Sequence, residues 1–267
     1  MTLRRLARGA GWRLRRAWSA VRRPHRGRPG APLRASSEYR LVLPGAFPVG
    51  ALQGWQAPEV SERQLDAYRP LLEAMHAGRV RRDFAVAAEC LRLLSLANPT
   101  IVEIGCGNGV YSEVFASLYG CPHRYVGVDY SEAMVASART RYGALPVVVA
   151  DASTLPFSAR AFDVAWSGTV LMHVPDYAGA IREACRVSRR FCVFHSVPVR
   201  LAGPTLFLTK RAYGVTVAEV LINRANLEES LRGSGLTIRH VLPSLPYRGG
   251  GVADDLDTLT YVCERVG

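Results

Sequence analysis

The chain has 267 residues, of which 49% are hydrophobic, enough for one α/β domain with a buried core and additional terminal segments. No apolar run approaches the roughly 18 to 20 residues that cross a bilayer, and the N-terminus lacks the uninterrupted apolar core of a secretory signal, so a cytoplasmic protein is expected. The net charge of +12 suggests nucleic acid, but residues 1–34 hold eleven arginines and no acid, leaving about +1 on the rest, so the folded part is nearly neutral.

Residues 1–36 read as a basic tail and linker. Leu3, Leu6, Leu14, Trp18 and Val21 recur near helical spacing between arginines, which suits either a disordered arm or an amphipathic helix on an anionic membrane face. Residues 37–98 read as an irregular lead-in, rich in Pro and Gly up to Pro58, followed by a helical cap with helices near 60–76 and 80–97. Residues 99–267 read as the main domain. Strands are predicted near 100–104, 124–129, 146–150, 162–167 and 190–196, with helices near 109–119, 131–141, 176–187 and 216–232. Such alternation implies a parallel sheet covered on both faces. Strands at Thr237–Leu242 and Thr258–Glu264, with no useful helix between them, imply an antiparallel return.

The informative stretch is VEIGCGNG, from Val102 to Gly109. A pyrophosphate-binding turn reads Gly-x-Gly-x-x-Gly, whereas Gly105, Gly107 and Gly109 are spaced one residue shorter. Glu103, just before them, would repel a pyrophosphate and suits a ligand with an ammonium group. Asp129 ends the second strand, where an acid can accept from both ribose hydroxyls; an N-cap role is the alternative. Asp151, at the third strand tip, can accept from an adenine amino group or simply form a turn. Cys90, Cys106, Cys121, Cys185, Cys192 and Cys263 have no metal-ligand spacing, so no metal is expected and the thiols read as reduced and individually packed.

In order and spacing, VEIGCGNG, VGVDYSEAM, VVVADASTLPF and FDVAWSGTVLMHV resemble the class I S-adenosylmethionine-dependent methyltransferases of small-molecule type, over about Thr100 to Arg200. The resemblance implies a Rossmann-like, doubly wound, seven-stranded and mostly parallel sheet whose last strand is antiparallel, here with a helical N-terminal extension. It implies S-adenosyl-L-methionine as cofactor. Glu103, Gly105, Cys106, Gly107 and Gly109 would lie against its methionine part and Asp129 would hold the ribose. Tyr130 or Met134 would flank the adenine, Asp151 and Ala152 would read its edge, and Ser167 would sit near the methionine end. His173 and His195, at or after strand ends, are the candidate bases, with ring packing as the alternative for each.

An acceptor-side insertion over 198–228 offers Tyr213 and Asn223 as pocket residues. Lys210 and Arg211 there read as solvated cations, with an anionic substrate as the alternative. An Asp/Asn-Pro-Pro-aromatic turn for base amines and the Pro-Cys pair of cytosine-C5 enzymes are both missing, which argues against nucleic acid. The expected activity is methylation of a small molecule or glycan, with oxygen the favoured acceptor atom. A nicotinamide-dependent oxidoreductase and a non-catalytic cofactor-binding protein of a membrane-associated complex are the rivals.

Overall fold

The computed structural model describes residues 39–247, 253 and 255–266. The basic tail, with its proposed membrane contact and linker, lies outside the described residues. The lead-in contributes a short strand β1 (Tyr39–Val42), a single-turn helix α1 (Val49–Leu52) and a 3-10 turn at Gly54–Gln56. Helices α2 (Pro58–His76) and α3 (Arg82–Leu93) follow. Pro58 opens α2 at its first turn, where its missing N–H costs no hydrogen bond. Helix α3 stops at Leu93, several residues before Pro99, because Ser95 and Asn98 both adopt positive φ.

From Thr100 the chain alternates as its pattern predicts: β2 (Thr100–Ile104), α4 (Val110–Leu118), β3 (Arg124–Asp129), α5 (Glu132–Tyr142), β4 (Val147–Val149), β5 (Phe162–Gly168), α6 (Tyr177–Val187) and β6 (Ser188–Arg200). The strand order β4-β3-β2-β5-β6 is parallel throughout. The last strand, β10 (Leu256–Arg265), inserts antiparallel between β6 and β9 (Leu236–Pro243), completing a seven-stranded sheet. Alternation sends successive side chains to opposite faces. Val102, Ala165, Cys192 and Phe194 pack beneath α6. Ile101, Val164, Trp166 and Val193 pack with Phe84 and Leu91 of α3 and Val114 and Phe115 of α4.

The predicted helix at 216–232 is corrected. Residues Val215–Asn223 form strand β8, and only Arg224–Gly233 is helical, as α7. Val217, Ala218, Val220, Leu221 and Ile222 are all buried, and a continuous apolar run of that kind does not distinguish a strand covered on both faces from a helix. Strand β8 pairs antiparallel with β7 (Leu206–Ala212), which pairs with β1. The insertion is therefore a β-hairpin, and the lead-in adds its third strand.

This small sheet joins the large one through β6. The pairing of β5 with β6 ends at Gly168 and His195, and beyond it Val199 and Arg200 pair with Ile222 and Asn223 of β8. Since β10 occupies the other edge of β6 to its end, β8 takes the edge that β5 has vacated, beyond the carboxyl tip of β5. The β1-β7-β8 layer is thus set at the end of the sheet where open α/β folds bind ligands.

Gly54 holds the lead-in against this layer. An added Cβ there would run into the Thr216 carbonyl oxygen and the Val217 side chain, whereas one at Gly50 would meet nothing. Gly54→Ala is expected to lower unfolding free energy by about 1–3 kcal/mol in a denaturant titration, as overpacking against backbone does. Gly50→Ala should leave the midpoint unchanged or raise it slightly.

Candidate active site

The turn after β2 is shaped by its backbone. The N–H groups of Gly105 and Cys106 both donate to the Val128 carbonyl, at 2.7 and 2.8 Å, folding the chain sharply over the end of β3. Gly105 has φ +74°, and a Cβ on it would strike the Val170 side chain, so both conformation and space call for glycine. The Asp129 carboxylate fixes the turn from β3, accepting from Gly107 N at 2.8 Å and from Ser131 N at 2.9 Å. Ser131, not Asp129, caps α5.

Helix α2 closes over the same turn. Asn108 is buried and donates to the Ser61 carbonyl at 3.1 Å and to Gln64 Oε1 at 3.0 Å, while Ser61 Oγ donates back to Asn108 Oδ1. Asn108 falls within the glycine stretch singled out in the sequence, whereas Gln64 and Tyr68 are not legible there as site residues. The one signal was that Ser61, Gln64 and Tyr68 fall on one face of a predicted helix.

A cavity of about 800 Å³ lies between these strand tips, α2 and the β1-β7-β8 layer. It brings together Gly105, Gly107, Asp129, Tyr130, Met134, Asp151, Ala152, His173 and Tyr213 of the predicted residues. Asp151 accepts from Ser153 N at 2.6 Å in a turn and also lines the cavity. Tyr39, Leu52, Trp55, Gln64 and Tyr68 join from the lead-in and α2. Tyr130 Oη donates to the Leu52 carbonyl at 3.1 Å, tying the lead-in to the β3 tip.

Several expected residues do not reach the cavity. Glu103 has the parity of Ile101 and faces α4, where it accepts from Tyr125 Oη at 2.5 Å and is almost fully buried. Burial first, and then the nearby Asp129 charge, push its carboxyl up to about 8 against the lowering effect of Tyr125. Cys106 turns into the packing of Val135, Ala138 and Val147, and Gly109 lies against Tyr142 and Leu145. Ser167 is buried within β5 with its hydroxyl unpaired, and Gly168, Thr169 and Val170 line the cavity in its place.

The two histidines separate. His195 is fully enclosed, with Nδ1 2.9 Å from Thr260 Oγ1, Nε2 3.0 Å from Ser196 Oγ, and its ring against Trp166 and Tyr111. It has no route to a substrate, because β6 runs on past it instead of ending there. His173 lines the cavity beside Trp55, ring centroids 4.7 Å apart, and its Nδ1–H donates to the Ala218 carbonyl at 3.0 Å. Burial, and then the Lys210 charge, lower its pKa to about 3. Such a ring is neutral near pH 7, with its one proton on Nδ1, and is too weakly basic to take a second from an acceptor, so the structure gives it a lining role.

Asn223 is also corrected, since its Oδ1 caps α7 by accepting from Ala225 N and Asn226 N. Lys210 is not a surface cation. Its side chain is 14% exposed and pairs with the fully buried Glu219. All six cysteines are free, and among the described residues no group of three or more His, Cys, Asp or Glu is placed to hold a metal. No helix among them is long and apolar enough to cross a membrane.

Comparison with known proteins bears on the class. Residues 102–193 match the family model described as "Methyltransferase domain". The malonyl-[acyl-carrier protein] O-methyltransferase of Legionella pneumophila is 35% identical over 102 residues, 37% of this chain and 36% of that protein. A demethylmenaquinone methyltransferase of Shouchella clausii is 30% identical over 98 residues, covering 35% of this chain and 42% of that protein. The matches thus span between a third and a half of these curated relatives. In fold, the chain resembles the Burkholderia thailandensis 1,6-didemethyltoxoflavin-N1-methyltransferase, with TM-score 0.56 and 19% identity over 89% of this chain and all of that one. Residues 102–193 thus resemble a methyltransferase domain in sequence, and the fold around them is one that S-adenosylmethionine-dependent methyltransferases share.

Burial favours protonated Glu103, so its folded pKa lies above its unfolded value near 4.5. The stability associated with it is fully present below that lower value and is lost as pH rises toward 8. Urea unfolding at a series of pH values is expected to show Glu103→Gln gaining on the parent protein between pH 5 and 8, by at most about 1.4 kcal/mol per pH unit.

Proposed function

We propose that the protein transfers a methyl group from S-adenosyl-L-methionine to a small molecule or glycan, with oxygen as the acceptor atom. The observation carrying this reading is a single cavity that joins the glycine turn, the Asp129 and Asp151 strand tips and an aromatic end built from Trp55, His173 and Tyr213. Its make-up suits an adenosyl group: Asp129 and Asp151 offer acceptors for ribose hydroxyls and an amino group, and the glycine turn is one residue shorter than a pyrophosphate-binding one.

In this reading Gly105 and Gly107 present backbone to the methionine part, beside Gln64 and Tyr68. The Asp129 oxygens keep lone pairs for the ribose hydroxyls while holding the turn. Tyr130 and Met134 flank the adenine, and Asp151 and Ala152 border its edge. The cofactor supplies a methyl group activated by positive sulfur. The chain's own part is to align an acceptor with that carbon and exclude water, since in-line displacement depends on alignment. The volume of about 800 Å³ is near the upper end for small-molecule sites and leaves room for an acceptor beside the cofactor.

S-adenosylhomocysteine is expected to raise the thermal midpoint of the full chain and NAD to leave it unchanged, because only a bound ligand stabilises the fold. The opposite pattern favours the oxidoreductase. Asp129→Ala should weaken S-adenosylhomocysteine by about 1–3 kcal/mol, roughly 5- to 150-fold by calorimetric titration, by stranding hydroxyls without a charged acceptor. Unchanged affinity would remove the ribose from Asp129. Transfer of radiolabelled methyl to a host extract separates an enzyme from a silent binding protein. A 14-dalton difference between metabolites of cells with and without the gene would identify the acceptor.

A further inference from the structure

Four polar side chains form one network on the β1-β7-β8 side of the cavity. Tyr39 and Lys210 line the cavity; Tyr247 and Glu219 meet them. The Lys210 ammonium pairs with the Glu219 carboxylate and donates to Tyr247 Oη at 3.0 Å. Tyr247 Oη donates to the other Glu219 oxygen, and Tyr39 Oη lies 3.3 Å from Tyr247 Oη. Because Tyr247 gives its proton to Glu219, Tyr39 is the donor toward Tyr247. Leu206, Leu208 and Leu221 are buried around them. A buried ion pair is a poor means of stabilising a fold, which apolar side chains of similar size would do as well. One that opens on a ligand cavity is a candidate for chemistry.

Resting on the methyl-transfer reading, we propose that this network activates the acceptor, and that the acceptor is a phenol or enol. The acceptor O–H gives its proton to Tyr39, the Tyr39 proton passes to Tyr247, and the Tyr247 proton passes to Glu219. Each tyrosine ends as it began, and Glu219 ends neutral. The negative charge moves the other way, from Glu219 to the acceptor oxygen, and Lys210 is its counterion before and after. No new charge is buried, so the desolvation cost is already met in the resting protein. The oxyanion then forms the bond to the methyl carbon as the carbon–sulfur bond breaks, leaving a neutral thioether, and the proton on Glu219 returns through Tyr247 and Tyr39 to solvent in the emptied cavity.

The acceptor class follows from proton affinity. A carboxylate can take a proton from a phenol or enol but not usefully from an aliphatic alcohol, whose pKa is far higher. A planar acceptor also suits the rings of Trp55, His173 and Tyr213, whose centroids lie 4.7 and 5.7 Å from the central Trp55. The other ionisable groups near Lys210 leave the role to Glu219. His173 stays neutral, and Arg211 is a permanent cation that donates to the Gly214 carbonyl. Burial and the Glu219 charge raise the Tyr247 pKa, so its hydroxyl relays a proton without resting ionised.

The test uses 4-nitrophenol, whose ionised form absorbs in the visible, with the full chain and saturating S-adenosylhomocysteine. Below the solution pKa of the phenol, the bound probe is expected to show the phenolate spectrum with an affinity that does not change with pH, because its proton stays on Glu219. In Glu219→Gln only phenolate from solution fits beside Lys210, so affinity should rise about tenfold per pH unit up to that pKa. Lys210→Met should bind the probe in its protonated form. Tyr247→Phe, which cuts the relay and leaves the ion pair in place, should bind the probe in its protonated, colourless form, and serves if either charge variant fails to fold. A probe that stays colourless on the parent protein, no binding to it, or the same spectrum and pH dependence in the parent and all variants would overturn the proposal. Stabilisation by S-adenosylhomocysteine is read in the same samples. If it persists while the probe result fails, the acceptor proposal falls alone; if it is absent, the methyl-transfer reading falls first.

Discussion

Backbone N–H and C=O groups along a strand need partners, and β6 extends well past the point where β5 stops. β10 satisfies one edge of that extension and β8 takes up the other at Val199 and Arg200. Much of the candidate site follows from this one requirement. The edge that β5 vacates admits β8, β8 brings β7, and β7 brings β1, so a layer of chain is built beyond the strand tips. Without it the glycine turn and the β3 tip would face open solvent. With it they form one wall of a cavity whose opposite side carries Tyr39, Lys210 and Tyr213.

The wall on the glycine side is held by a division of labour between two acids. Asp129 reaches the turn and ties it down through Gly107 and Ser131, whereas Glu103, on the opposite parity of β2, is buried against Tyr125. The first acts on the second, since the Asp129 charge adds to the burial that keeps a proton on Glu103. Asn108 and Ser61 then fasten α2 to the turn, so the N-terminal helix is part of the site as well as its cover.

Buried polar groups in this protein fall into two kinds. His195, Ser196, Ser244 and Thr260 satisfy one another inside the sheet and have no contact with the cavity. Lys210, Glu219, Tyr247 and Tyr39 also satisfy one another, but two of them line the cavity. A histidine at a strand end and a lysine in an insertion invite opposite guesses from sequence, and the structure reverses both. The histidine is sealed because its strand continues, and the lysine is drawn inward by an acid on the neighbouring strand.

By itself the sequence determined what depends on short-range pattern. Apolar periodicity marked the alternating strands and helices from Thr100 onward, the spacing of Gly105, Gly107 and Gly109 marked the turn, and the chain position of Asp129 marked the second strand tip. These were legible because each is decided by neighbours within a few residues. Only the tertiary structure decided that Val215–Asn223 is a strand, since a run buried on both faces has no period. It alone decided that Glu103 and Ser167 face away from the cavity, and that Tyr39 stands beside Lys210 across a strand pair. Those outcomes depend on which edges meet and in which register, and a pairing such as that of β1 with β7, more than a hundred residues apart, leaves no local trace.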